Sequence, residues 1–256
     1  EEIQVLAAPF DVRHGAFAGG LVNAVTRSGT NFVHGALFSY LSDDVLVGRN
    51  TLGTPVGDFT TWQYGATVGG PIVPNRAQFF LSVDMRKEVV PDPGPLIADT
   101  VGGADVTRIG VSYRDALRFQ QLLRNGYGLE PGTLGPVTGQ VRAGDVFGKV
   151  TLQPGANTHL ELSHHHALGN RWDFVSRVPL FYFPSASSQR NSSTSDASRL
   201  IWTSLVGSRW SNEVIASRLH LEDSCIPDAS YPLIRVMTPP SGQLSVGAPG
   251  GCPPYP

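Results

Sequence analysis

The sequence predicts an all-β fold: a partial transmembrane antiparallel β-barrel, about seven strands of a larger barrel, behind a small N-terminal unit. Three observations lead there. Several segments alternate apolar and polar residues with a strict period of two, which puts one residue set on each face of a sheet. The links between those segments alternate between tight and long. No run of about 18 apolar residues is present, so a transmembrane helix is excluded while a barrel is not.

Residues 1–31 read as a unit of their own. Ile3-Gln4-Val5-Leu6 is a short strand, Ala7 to Gly20 is a turn-rich connector, and Leu21 to Thr26 is a second strand rich in branched residues. Ser28-Gly29-Thr30-Asn31 breaks the pattern with residues suited to turns.

From residue 32 onward the barrel rhythm begins. In Trp62 to Pro71 the apolar Trp62, Tyr64, Ala66 and Val68 alternate with Gln63, Gly65, Thr67 and Gly69. Between Phe79 and Arg86 the set Phe79, Leu81, Val83 and Met85 alternates with Phe80, Ser82, Asp84 and Arg86. The other strands expected are His34 to Leu41, Asp145 to Gln153, His159 to Leu168, Arg199 to Trp210 and Val214 to Leu221. Pro74-Asn75-Arg76, Pro154 to Thr158 and Ser211-Asn212 are tight links, whereas Asp43 to Thr60, Val89 to Gly139 and Gly169 to Ser198 are long. Short turns at one end and long loops at the other are the habit of outer-membrane barrels. The second long link holds one amphipathic helix, Tyr113 to Asn125, with Gly126 as its expected stop.

Composition agrees. The 256 residues include 29 Gly and 20 Pro but only 16% charged side chains, which favours a turn-rich β protein. A mean hydropathy of −0.06 is compatible with barrel strands of about 9–11 residues, because only every second side chain meets lipid. A net charge of −2 supplies no basic field, so no nucleic-acid partner is expected. Trp62, Trp172, Trp202 and Trp210 near strand ends suit interfacial belts. The two cysteines, Cys225 and Cys252, fit either a loop disulfide or two unrelated thiols.

Chemistry is sparse. On a strand His159, Glu161 and His165 share a face and are candidate metal ligands, but a two-residue step separates side chains by about 7 Å, which disfavours shared ligation. A polar strand near the outer rim, with His164 and His166 turned toward the interface, is the plainer reading. The glycine run Gly15 to Gly20 lacks phosphate-loop spacing, and no GxSxG elbow gathers a Ser, His and Asp. No catalytic residue, cofactor or metal is therefore expected, and the chain does not read as an enzyme.

Ile3 to Leu6, His14-Gly15 and Gly19 to Arg27 follow in the order of an IEVL-like strand, a YG-like turn and a GGVVNIIT-like strand. That order resembles the closing segment of TonB-dependent receptor plugs. Ser28-Gly29-Thr30-Asn31 with His34-Gly35, then Gln63 to Val73 followed by Phe79-Phe80, resemble the start of the barrel in the Oar-like subgroup of that family. The resemblance covers residues 1–88. It implies that residues 1–31 are the C-terminal part of a plug domain and residues 32–256 the N-terminal part of an outer-membrane β-barrel with long extracellular loops. Gly19, Gly20, Asn23, Thr26, Gly29, Asn31 and Gly35 then form the plug–barrel junction.

A plugged transporter barrel needs about 22 strands, and open edges are costly in hydrocarbon, so the chain reads as a fragment. It opens on Glu1-Glu2-Ile3 without a signal segment, and the part that would contact the TonB complex is expected upstream. The function implied is TonB-dependent active transport, uptake or export, of an unidentified solute across the bacterial outer membrane, with membrane lipid as the barrel's surroundings. Gln63, Thr67, Ser82, Asp84, Arg86 and Lys149 are the lumen and ligand-path candidates. The alternative is a soluble or surface all-β binding module, directed at carbohydrate through aromatic loops such as Phe181-Tyr182-Phe183.

Overall fold

The computed structural model describes residues 2–7, 20–49, 58–91, 111–134, 137–174, 181–182, 185–238 and 242–248. Two short strands come first: β1 (Glu2–Ala7) and β2 (Gly20–Val25) pair antiparallel, with Gln4 opposite Asn23. They form a separate two-stranded sheet.

Seven long strands follow: β3 (His34–Asp43), β4 (Thr60–Val73), β5 (Ala77–Pro91), β6 (Thr138–Gly155), β7 (Thr158–Phe174), β9 (Ser188–Val206) and β10 (Trp210–Pro227). Between β7 and β9 lies a two-residue strand, β8 (Phe181–Tyr182). The seven form one antiparallel meander in the order β3-β4-β5-β6-β7-β9-β10. Each hairpin brings consecutive strands together, so backbone N–H and C=O groups are satisfied between neighbours, as a sheet facing lipid requires.

The turns explain the hairpins. Between β4 and β5, Asn75 takes the left-handed region at φ 62°, which Asn tolerates better than most residues. Between β9 and β10 the turn falls at Gly207-Ser208-Arg209, where Gly207 sits at φ 64°. This corrects the expected link at Ser211-Asn212. The glycine adopts the left-handed conformation at no steric cost, and the chain reverses there first. The supposed long link Gly169 to Ser198 is also mostly strand, because β7 continues to Phe174 and β9 starts at Ser188. Its Ser/Thr-rich composition suggests turns, but β9 is flanked by β7 and β10, and both of its edges are paired.

At the other end, the long connections build a unit of their own. Helix α1 (Tyr113–Tyr127) starts at Ser112, whose Oγ accepts the Asp115 N–H at 3.1 Å. It runs past Gly126 and ends at Gly128, φ 65°, whose N–H reaches Arg124 O at 3.1 Å. The true stop is where a left-handed residue lets Leu129 fold back onto the helix's own apolar stripe. That stripe, Ala116, Phe119 and Leu123, packs with Val111, Leu134, Leu244 and Val246 into a dry core. The last two belong to β12 (Gly242–Val246), which pairs with β11 (Ile234–Thr238) and lies parallel to β8. Segments that follow β5, β7 and β10 thus close one small domain. Beside it, Tyr231 donates its hydroxyl to Glu130 O at 2.8 Å, and burial followed by the nearby Glu130 carboxylate raises its phenol above the usual 10. Cys225 is disulfide-bonded; the second cysteine, Cys252, lies outside the described residues.

Candidate functional site

The meander has two chemically different faces. Residues directly opposite one another across the ladder share a side, so each row can be followed from strand to strand. One row runs Gly70, Phe79, Val150, Leu162, Leu200 and Ala216 from β4 to β10. Along this face Leu37, Trp62, Tyr64, Val68, Leu81, Leu162, Trp202 and Val214 are all exposed, Leu37 by 87%. A contiguous apolar patch of that extent demands an apolar medium.

The row beside it faces the other way: His34, Gly69, Phe80, Lys149, Ser163, Arg199 and Ser217. By the same parity Gln63, Thr67, Ser82, Asp84, Arg86 and Lys149 all fall on this polar face. Gln63 Nε2 donates to both carboxylate oxygens of Asp84, at 3.1 and 2.9 Å. Arg86 pairs with Glu88 at 2.7 Å. Asp84 stands directly opposite Asp145, a repulsive placement, and each carboxylate has its own compensator: Gln63 for the first and His165 for the second.

Lys149 is the best-hidden cation of the polar face. Its ammonium lies 2.9 Å from Glu161 Oε2, with side-chain exposures of 5% and 20%, and also donates to Thr26 Oγ1 at 3.4 Å. The second contact ties the segment after β2 to the sheet. His159, Glu161 and His165 do share this face, yet Glu161 is committed to Lys149 and His165 to Asp145. Among the described residues no three His, Cys, Asp or Glu side chains converge as metal ligands. His164 and His166 turn to the apolar face, where His164 meets Ser198 at 2.9 Å and His166 meets Asp196 at 2.7 Å.

Of the seven junction candidates, Gly29 and Asn31 lie against the β4–β5 hairpin. Asn31 accepts the Asn75 backbone N–H at 2.7 Å and donates to its side-chain oxygen at 2.5 Å, and it also accepts from Gln78 Nε2 at 3.4 Å. Gly29 lies so close to strand β5 that a Cβ there would strike the Phe79 carbonyl. At Gly35 a Cβ would sit 2.8 Å from Thr67 O. Gly20 and Asn23 lie in β2, away from this cluster in sequence, and Gly19 lies outside the described residues. Sequence reasoning missed Asp145 and Asn75. The first is isolated in sequence from the histidine it meets; the second is an Asn in a turn, a signal that was available.

A sequential antiparallel sheet with an exposed apolar outer face and a hydrogen-bonded polar inner face defines a stretch of outer-membrane β-barrel wall. Comparison with known proteins agrees: residues 25–98 match the family model described as "Outer membrane beta barrel domain". The chain is 32% identical over 88 residues to the TonB-dependent transporter Oar of Myxococcus xanthus, an alignment covering 31% of this chain and 8% of that protein. Its fold is similar to the crystal structure of the outer membrane transporter YddB from Escherichia coli. The TM-score is 0.56 at 11% identity, over 96% of this chain and 29% of that one. At that identity the likeness shows the fold alone. The chain therefore spans less than a third of either relative. It is a partial outer-membrane β-barrel and resides in the bacterial outer membrane.

Proposed function

We propose that residues 32–256 are the N-terminal part of the barrel of a TonB-dependent transporter, that residues 1–31 are the end of its plug, and that the protein moves a solute through its lumen without catalysing a reaction. The observation that carries this reading is the contact of Thr26 with Lys149. It fixes a segment arriving from the two-stranded sheet onto the polar face of the wall, the relation a plug has to the lumen around it. The similarity to the transporter Oar over 88 residues supports it.

In this reading the tight turns lie in the periplasm and the long connections, with their small helix-containing domain, lie outside. Gln63, Thr67, Ser82, Asp84 and Arg86 line the solute's path. TonB engages a segment upstream of this chain. The exposed apolar face argues against a soluble carbohydrate-binding module, which would aggregate through that patch in water.

The test compares depletion of solutes from the growth medium by cells that carry the protein, cells that lack it, and carrying cells without TonB. A solute removed only when both are present supports active transport. Equal depletion with and without TonB would leave a passive barrel.

A further inference from the structure

On β10 the polar face carries apolar side chains in the open. Leu219 stands opposite Ala197 and Leu221 opposite Ser195, in the ladder rows that reach Ser82 and Asp84 on β5. Both leucines therefore point inward, and they are 63% and 60% exposed. A closed barrel sets a further strand beside β10, which covers the flank of these side chains but not the side turned to the lumen. Their neighbours on β9 are short, and on β7 a Cβ added at Gly169 would meet nothing within 4 Å. The leucines thus form a raised apolar ledge beside a low floor.

Opposite charges stand at the two ends of that ledge. Toward the long loops Asp223 faces Ser193 and lines an open cavity of about 440 Å³ with Ala143, Gly169, Arg171 and Asn191. Toward the tight turns Arg199 is exposed on the same face. Among the described residues neither the Asp223 nor the Arg199 side chain has an ion pair or a hydrogen bond, whereas Arg171 already has a partner of its own. Ser193 and Arg199 lie six residues apart on β9, about 20 Å at a strand rise of about 3.3 Å. The segment after β2 meets the sheet at Lys149, in the Arg199 row, and at Phe79 and Asn75 on the tight-turn side of it. The ledge runs away from those contacts.

We propose that this ledge binds a short apolar peptide with free termini, its ammonium at Asp223, its carboxylate at Arg199 and its side chains on Leu219 and Leu221. Five residues in extended conformation span about 17 Å, and the long arginine side chain closes the remaining gap. The guanidinium presents a planar fork matched to a carboxylate, and the short side chains of Ser193, Ser195 and Ala197 let an extended backbone lie low beside the leucines. A small ion satisfies one end and leaves the leucines in water. A neutral apolar solute covers the leucines and leaves both charges unpaired. The proposal names a solute class for the path described under Proposed function and rests on that reading.

The test titrates the protein in lipid nanodiscs, without TonB, by calorimetry. The probes are an alternating Ala/Leu pentapeptide with free termini, its N-acetylated form, its C-amidated form, and a Gly/Ser pentapeptide with free termini. The free Ala/Leu peptide binds, and blocking either terminus weakens it about fivefold, the upper end for an exposed ion pair. Asp223→Asn abolishes the effect of acetylation and keeps that of amidation, and Arg199→Gln does the converse. Each charge variant thereby shows that its own fold is intact. The Leu219→Ser/Leu221→Ser variant binds the free peptide roughly tenfold more weakly, from two partly covered side chains. On intact cells Leu221→Cys reacts with a membrane-impermeant maleimide, and the free peptide protects it. No binding of the free peptide, equal binding of the blocked or Gly/Ser peptides, or terminus effects that the charge variants leave unchanged overturns the proposal. A Leu221→Cys thiol that stays unreactive without peptide also overturns it, in favour of a ledge covered by the plug. Depletion of solute that ignores TonB, with the binding results as expected, would count against the transport reading alone.

Discussion

Lys149 Nζ lies 2.9 Å from Glu161 Oε2 across the β6–β7 pair, and the lysine side chain is only 5% exposed. Among the described residues Glu161 is the carboxylate that meets that ammonium, so its removal leaves Lys149 with the neutral Thr26 hydroxyl but no counter-charge in a water-poor place. Breaking one half of a buried pair costs about 3–5 kcal/mol. Because Glu161 is 20% exposed, Glu161→Gln is expected near the lower end of that range. Urea unfolding in detergent measures it. A Lys149→Met/Glu161→Leu double variant should recover most of the loss, since two apolar groups leave nothing unpaired.

The segment between β2 and β3 makes a close approach to β5 that only glycine permits. Gly29→Ala would press a methyl group into the Phe79 carbonyl, whereas Gly48→Ala would add one where nothing lies within 4 Å. The first substitution should cut the heat-modifiable, folded band in membrane fractions sharply, and the second should leave it unchanged. Asn31→Ala falls between them. It deprives Asn75 of its backbone and side-chain partners and should cost about 1–3 kcal/mol. An Asn31→Ala protein as stable as the parent would show that the turn holds itself.

Neighbouring residues on one strand should respond oppositely to charge. Leu81 belongs to the apolar face, and Ser82 belongs to the polar one, opposite Thr67. Leu81→Arg puts a cation in hydrocarbon at about 2–4 kcal/mol near the midplane, while Ser82→Arg meets water in the lumen. Assembly yield into outer-membrane vesicles should fall for the first and hold for the second. The reverse order would invert the assigned faces.

The small helix-containing domain should unfold by itself. Phe119 is buried among Ala116, Leu123, Leu134 and Leu244, and Phe119→Ala removes about 3–5 kcal/mol of packing from that small core. Hydrogen exchange should accelerate in Tyr113–Tyr127 and in Gly242–Val246 while the β4–β5 ladder keeps its protection. Tyr231 offers a pH readout in the same domain. Its phenol keeps its proton to higher pH when folded, so its contribution is fully present below pH 10 and is lost as the pH rises through the folded value.

The sequence by itself determined the seven long strands, the face on which Gln63, Thr67, Ser82, Asp84, Arg86 and Lys149 fall, and the position of the helix, because period two and period 3.6 are local and survive without tertiary context. Strand length was less legible: the Ser/Thr-rich start of β9 carries no alternation strong enough to oppose its turn-like composition, and only pairing with β7 and β10 makes it strand. What tertiary structure alone decided is which residues meet over long separations. Lys149 with Glu161 and Thr26, Asp145 with His165, and α1 with β12 are fixed by ladder register and by the closing of three loops on one core. No local pattern encodes a register, since a one-residue slip would satisfy the alternation of either strand alone while moving every side chain to the wrong face.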